Sequence, residues 1–203
     1  MTADKSDPGA PDADNTPLDE DESAGLIPPH IETRQELNQW EASNIAVAQE
    51  WAATHAVDIL SVDRLMELHR RMFDDTWSWA GQFRRSDKNL TPYSWTEVPR
   101  LMQDLVEKSR VRYEHSPKSP EALDELAVRF HHELVHIHPW PNGNGRHARL
   151  ATDLLLRQWS RPPFTWGSST KPSVRSGART RYINALKAAD AGDLSPLLRF
   201  ARS

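Results

Sequence analysis

No cysteine occurs in the 203 residues. Disulfides and thiolate metal sites are thereby excluded, and a cytoplasmic setting is expected. No apolar run approaches the ~20 residues of a membrane-spanning helix. The first residues, Met1 to Asp7, hold neither a basic nor an apolar stretch, so no signal peptide is expected. No internal repeat is found. Positive charge is also scarce at one end. Residues 1–24 carry eight acids against Lys5, a charge of -7, which leaves +3 of the overall -4 on the remainder. That +3 is too small to make nucleic acid the main ligand, yet it suits an anionic small substrate. The same 24 residues hold almost no large apolar side chain, so they read as a disordered acidic tail. Residues 25–203 suffice for one domain with its own core, and 37% hydrophobic against 27% charged residues suits a globular protein.

The pattern from Leu26 onward is mainly helical. Thr33 with Glu36 forms a capping box ahead of Leu37, Trp40, Ile45, Ala48 and Trp51 at helical spacing. A second helix follows Ser61 and stops at Asp74-Asp75. A third is expected from about Thr96 to Glu114. Ser119-Pro120 starts a fourth, which must end before Pro139, because proline disfavours helical geometry in its predecessor. A fifth is expected from about Arg146 to Gln158, a long loop over 160–176, then helices from Arg179 to Ala189 and around Pro196. Residues Gln82 to Asn89 are expected to form a short β-hairpin that Pro92 limits. Trp40, Trp51 and Trp159 are assigned to the core. Trp77 and Trp79 flank a turn, with packing as their expected role and a cleft lining as the alternative.

The chemistry concentrates in one stretch, His138-Pro139-Trp140-Pro141-Asn142-Gly143-Asn144-Gly145-Arg146-His147-Ala148-Arg149. Gly143 and Gly145 allow the backbone to approach an anion closely. Successive N–H groups at a helix start favour phosphate. Arg146 and Arg149 sit on neighbouring faces of the first turn, and guanidinium forks suit phosphate oxygens. His138, just ahead of the turn, is placed to take a proton from an incoming hydroxyl. The pattern points to in-line attack of a protein Ser, Thr or Tyr hydroxyl on a nucleotide phosphorus, with pyrophosphate as leaving group.

This stretch resembles the motif of the Fic (Fic/Doc) family, a His-Pro-Phe opening followed by an acidic residue, Gly-Asn-Gly-Arg and a second Arg. His138, Pro139, Gly143, Asn144, Gly145, Arg146 and Arg149 match, and Trp140 replaces the phenylalanine. Leu68 to Arg71, Trp79 to Arg84, Phe130-His131, Tyr182 and Ala188 to Asp193 look like further landmarks. Pro-Asn-Gly-Asn-Gly-Arg-His-Ala-Arg, with the Thr-Pro-Leu-Asp and Gly-Leu-Ile-Pro openings, most resembles the bacterial subgroup called mobile mystery protein B. The resemblance implies a Fic-like helical bundle with one small β-hairpin flap. It implies transfer of AMP from ATP to a target hydroxyl, although other members transfer UMP, phosphocholine or phosphate. His138 is then the base. Asn144 and the glycine amides hold the α-phosphate, and Arg146 and Arg149 hold the outer phosphates. Tyr182 and Asp190 stand at the nucleotide-base positions, Asp190 in place of the usual Asn. The flap at about 82–91, with Phe83, Arg84 and Arg85, docks a target segment by strand addition. A genetically linked regulator is implied as a partner, and the target protein is not identified.

Asn142 departs from the motif, because most active members have Asp or Glu there to hold Mg²⁺. An amide oxygen can ligate Mg²⁺ without the favourable charge. Weaker metal binding, a changed donor or lost activity is expected. The alternative is therefore a non-catalytic nucleotide-binding or interaction module. The family's inhibitory helix has Thr16 to Asp21 as its nearest counterpart, whose last residue is wrong, and no inhibitory role is assigned. A further alternative is a zinc hydrolase through His132-Glu133-Leu134-Val135-His136, two imidazoles one helical turn apart with Glu133 as base. No third ligand stands out for it, since His138 and His147 conflict with the phosphate role.

Overall fold

The Thr33 hydroxyl accepts from the Glu36 amide while Glu36 reaches back to the Thr33 N–H, so the capping box forms as its spacing predicts. It opens α1 (Arg34–Thr54) in the computed structural model, which describes residues 23–55, 58–168 and 177–203. The expected tail lies outside the described residues except for its last two positions. α2 (Val62–Phe73) follows and Asp74 closes it. A 3₁₀ turn at Trp95–Glu97 leads into α3 (Val98–His115). α4 (Pro120–Ile137) starts as expected, with Ser119 accepting from the Ala122 amide and proline in the first turn, where its missing N–H costs nothing. α5 (Asn144–Gln158), α6 (Ala178–Asp190) and α7 (Ser195–Ala201) complete the described order.

α4 is the central helix. It packs on α5 and α3 and receives α7, while α1 lies on α2 and α2 meets α5. Leu65, Leu68 and Met72 of α2, Ala127 and Val128 of α4, and Leu155 and Leu156 of α5 are fully buried at these contacts. Each large apolar side chain so buried contributes about 1.5–3 kcal/mol. α6 packs mainly on α7 and reaches the centre through it.

Three expectations need correction. The β-hairpin flap is not seen: among the described residues the β pairing is a single bridge, Leu26 to Trp77. The Arg84 guanidinium takes the Ser86 and Tyr93 carbonyls at 2.8 Å each. Two acceptors that a ladder would need are thus already engaged, and Asp87 Oδ1 takes the Trp95 amide at 2.7 Å. α5 begins at Asn144 rather than Arg146, because left-handed Gly143 (φ 77°) serves as its cap. Trp40 is 37% exposed. It lies beside the inward stripe Leu37–Glu41–Ala48–Ala52 rather than on it, and its indole N–H donates to the Asp75 carbonyl at 3.1 Å. Trp159 and Trp77 are buried, and Trp51 is half-buried beneath the Arg71 guanidinium.

Candidate active site

Pro139 stops α4 at Ile137 and leaves His138 as its cap in the left-handed region, φ 53°, ψ 59°. A non-glycine residue there costs of order 1–3 kcal/mol and persists only where its surroundings hold it. Arg84 does so. Its Nε donates to the His138 carbonyl at 2.8 Å and its amide to the Pro139 carbonyl at 2.9 Å. With the Ser86 and Tyr93 carbonyls, a 1%-exposed guanidinium pins the His138–Pro139 turn to the 84–93 segment. The His138 imidazole is buried and donates to the Val135 carbonyl. Burial first, then the Arg84 and Lys88 charges, lower its pKa to about 4. Near neutral pH the ring is therefore uncharged, one nitrogen carrying the proton given to Val135 and the other holding a lone pair.

The loop after His138 hangs on three side chains. Asn144 accepts from the Trp140 amide at 3.0 Å and donates to the Trp140 carbonyl at 2.8 Å. Both ends of this buried side chain are committed to the loop, so its backbone N–H is what remains to meet a ligand. Trp140 stacks on His69 (4.3 Å) and on Phe83 (5.2 Å). His69 accepts the Gly81 amide on Nδ1 at 2.9 Å and therefore carries its proton on Nε2, which donates to the Asn142 carbonyl at 3.2 Å. His147 accepts the Trp140 indole N–H on Nδ1 at 3.1 Å and donates from Nε2 to the Leu65 carbonyl at 3.0 Å. Gly143 closes the loop where a Cβ would lie 2.5 Å from the Phe73 ring, at a φ that side chains disfavour. Gly143→Ala is expected to lose roughly 2–5 kcal/mol, the left-handed penalty plus overpacking. Urea unfolding measures it, and a loss under about 1 kcal/mol would contradict this reading of the loop.

The amides of Asn144, Gly145 and Arg146 belong to the first turn of α5 and have no helical acceptor. Arg149 stands beside them over the Tyr182 ring (5.4 Å), with Gly145 next to the Tyr182 hydroxyl. That hydroxyl meets His131 Nε2 at 2.9 Å, and burial pushes its pKa up to about 12. Arg149 has no ion pair among the described residues, whereas Arg146 is paired. Its guanidinium meets Glu41 Oε2 at 2.6 Å, and Glu41, 2% exposed, accepts the Trp77 indole N–H on its other oxygen at 2.8 Å. Glu41→Gln removes a negative charge beside Arg146 and the open amides of the α5 start. At an effective dielectric of about 20 and a distance of about 10 Å this is worth roughly 1.7 kcal/mol per unit of ligand charge, so a polyphosphate ligand should bind at least about tenfold to twentyfold tighter by calorimetry. Weaker binding would show that Glu41 orients Arg146 for phosphate instead of competing with it.

The other expected residues fall as follows. Asn142 Oδ1 accepts its neighbour's amide, Gly143 N–H, at 2.6 Å. A neutral oxygen already bonded to the loop is a poor fit for Mg²⁺. Arg85 is exposed near Gln82, while Arg84 lies inside the fold. Asp190 Oδ1 accepts from His132 Nε2 at 2.8 Å and lies 3.1 Å from His136 Nδ1, so its carboxylate faces α4. Glu133 pairs with Arg112 at 2.7 Å. Sequence reading missed Glu41, although an acid on the apolar stripe of α1 was a legible signal. His69 and Arg84 lie in stretches that the resemblance marks as landmarks, but the support of the loop by His69 and the inward course of Arg84 depend on distant partners and were not read.

Residues 59–156 match the Fic/DOC family model. Protein adenylyltransferase Fic of Nematostella vectensis is 30% identical over 145 residues, 70% of this chain and 31% of that protein. The chain spans about three-tenths of the length of the first curated relatives it matches. Among solved structures, the N-terminal Fic domain of a VirB-translocated Bep effector from Bartonella quintana aligns with a TM-score of 0.69 at 18% identity, covering 85% of this chain and 84% of that one. BepC of Bartonella tribocorum, with bound AMPPNP, aligns with a TM-score of 0.68 at 16% identity over 91% and 97%. These two establish likeness of fold.

Proposed function

The chain carries a Fic/DOC family domain across residues 59–156, and from that premise we propose that it is a protein adenylyltransferase. It moves AMP from ATP to a Ser, Thr or Tyr hydroxyl of a target protein. The observation that carries this reading is an uncharged, buried His138 held immediately ahead of the α5 start, where open amides and Arg149 converge. The target hydroxyl gives its proton to the lone-pair nitrogen of His138 as its oxygen bonds to the α-phosphorus. The bond to the bridging oxygen of the β-phosphate breaks, and pyrophosphate leaves carrying the electron pair. The first-turn amides hold the α-phosphate, while Arg149 and Arg146, the latter once exchanged from Glu41, hold the outer phosphates. Tyr182 backs the cradle. Phe83 and Arg85 offer the docking edge for the target, while Arg84 acts from within by fixing His138.

The finer parts of the proposal are ATP as donor, Mg²⁺ at most weakly held at Asn142, membership of the mobile mystery protein B subgroup, a bacterial cytoplasmic setting and a linked regulator. No helix among the described residues is long and apolar enough to cross a membrane. One observation favours a second reading, a nucleotide-binding module without transfer: the Asn142 oxygen caps the Gly143 amide. Incubation with a panel of nucleoside triphosphates, followed by mass spectrometry of modified proteins, separates the two. AMP adducts on hydroxyl side chains support transfer. ATP binding without any adduct supports the module.

A further inference from the structure

Two histidines one turn apart on α4, His132 and His136, face the last residue of α6. Asp190 Oδ1 lies 2.8 Å from His132 Nε2 and 3.1 Å from His136 Nδ1. The three donor atoms all fall within 4.8 Å of one another. We propose that His132, His136 and Asp190 form a zinc site that clasps α6 to α4. Zinc–nitrogen and zinc–oxygen bonds of about 2.0–2.2 Å imply ligand-to-ligand edges of roughly 3.3–3.6 Å in a tetrahedron. The contacts to Asp190, 2.8 Å and 3.1 Å, need to open by about half an ångström to reach such edges, a shift within the reach of a half-exposed carboxylate. The His132 N–H that now bridges to the carboxylate moves to the other ring nitrogen, and His136 offers Nδ1 as a lone pair, so that both rings ligate as neutral imidazoles.

The donor set selects the ion. Two imidazoles and one carboxylate suit zinc and its neighbours, whereas calcium and magnesium prefer all-oxygen shells. A fourth position and a path to it are at hand, because His132 and His136 border an open cavity of about 250 Å³ that Tyr93 and Arg112 also line. Hydrolytic chemistry is a poor match. Glu133, which would serve as base in this spacing, is held by Arg112 at 2.7 Å. The arrangement therefore holds a metal rather than uses it. Its physical role follows from the packing. α6 rests chiefly on α7, so a metal bridge fastens Asp190 directly to the helix that ends at His138.

The test uses the full chain, stripped with chelator and titrated with zinc chloride by calorimetry, with cobalt(II) as a spectroscopic probe. One zinc per chain is expected, with tetrahedral visible bands for cobalt and a higher unfolding temperature at saturation. His136→Ala and Asp190→Ala should each weaken binding at least tenfold, by about 10–100-fold or more. His115→Ala, an exposed histidine on α3, should leave it unchanged. Asp190 is half-exposed, so its variant is expected to unfold without metal as the wild type does, and that control is run alongside. Absence of stoichiometric binding overturns the proposal, as does equal affinity in both ligand variants. The readouts involve no nucleotide transfer, so this site stands or falls apart from the catalytic reading.

Discussion

His138→Ala is expected to lower AMP transfer by about 10²–10⁴-fold while leaving ATP affinity within roughly threefold. The split follows from the geometry. His138 caps α4, whereas the groups suited to the polyphosphate lie on the first turn of α5 and at Arg149. Label transfer at saturating ATP reads the first quantity and calorimetry the second. Transfer equal to wild type removes His138 as base. A tenfold loss of ATP affinity with an unchanged maximal rate makes it a binding residue. The pH profile gives a second check. Burial and the Arg84 and Lys88 charges lower the His138 pKa to about 4. A base must be deprotonated to act, so the rate constant for free enzyme and substrate should rise with pH through about 4 and be flat near neutrality on this limb. A bound triphosphate adds negative charge beside the ring, which moves the corresponding limb of the saturated rate to higher pH.

The legible parts of this fold were those whose cause is local. Thr33 and Glu36 cap α1, Ser119 and Pro120 start α4, and Pro139 ends it through a clash between neighbours. The site motif is legible for the same reason, being contiguous. What failed depends on distant partners. The 82–91 segment has hairpin-like residues, but Arg84 turns inward and takes the carbonyls that a ladder would use. Asn144 reads as a phosphate ligand, and with its side chain committed to the Trp140 backbone the group left for that role is its backbone N–H. Glu41 meets Arg146 across 105 positions, and Asp190 meets His132 across 58. Neither pairing leaves a trace in local periodicity. The zinc-like spacing at His132 and His136 lacked a third ligand only because tertiary structure supplies it.

Acid should unfold this protein through its histidines before its carboxylates. His69 and His147 each accept an N–H on Nδ1, from Gly81 and Trp140, and each donates from Nε2. A second proton turns the accepting nitrogen into a donor facing another donor, inside a fully buried core. Burial accordingly lowers His147 to about 4 and His131 to about 3, and lowers His69 well below its usual range, with His147 adding to that last effect. The unfolded chain binds protons at these sites near pH 6.5, and the folded chain does not. Stability is therefore complete above about 6.5, falls as the pH drops toward 4, and is lost from these groups below their folded values. Each buried histidine contributes up to about 1.4 kcal/mol per pH unit in that window. Several titrating together approach the 5–15 kcal/mol that holds a typical domain. Carboxylates paired with cations, such as Glu67 beside Arg70, have lowered pKa values and act only at more acid pH. Half-buried Asp153 is raised by its burial and opposes the trend from the carboxylate range upward. Urea midpoints measured from pH 7.5 to 4.5 should drop steeply below 6.5, and His147→Gln should flatten the slope by close to one proton. Midpoints that stay level between 6.5 and 4.5 would mean that these rings do not need to be neutral, and the loop would have to be held at its Trp140 and Asn142 ends by something else.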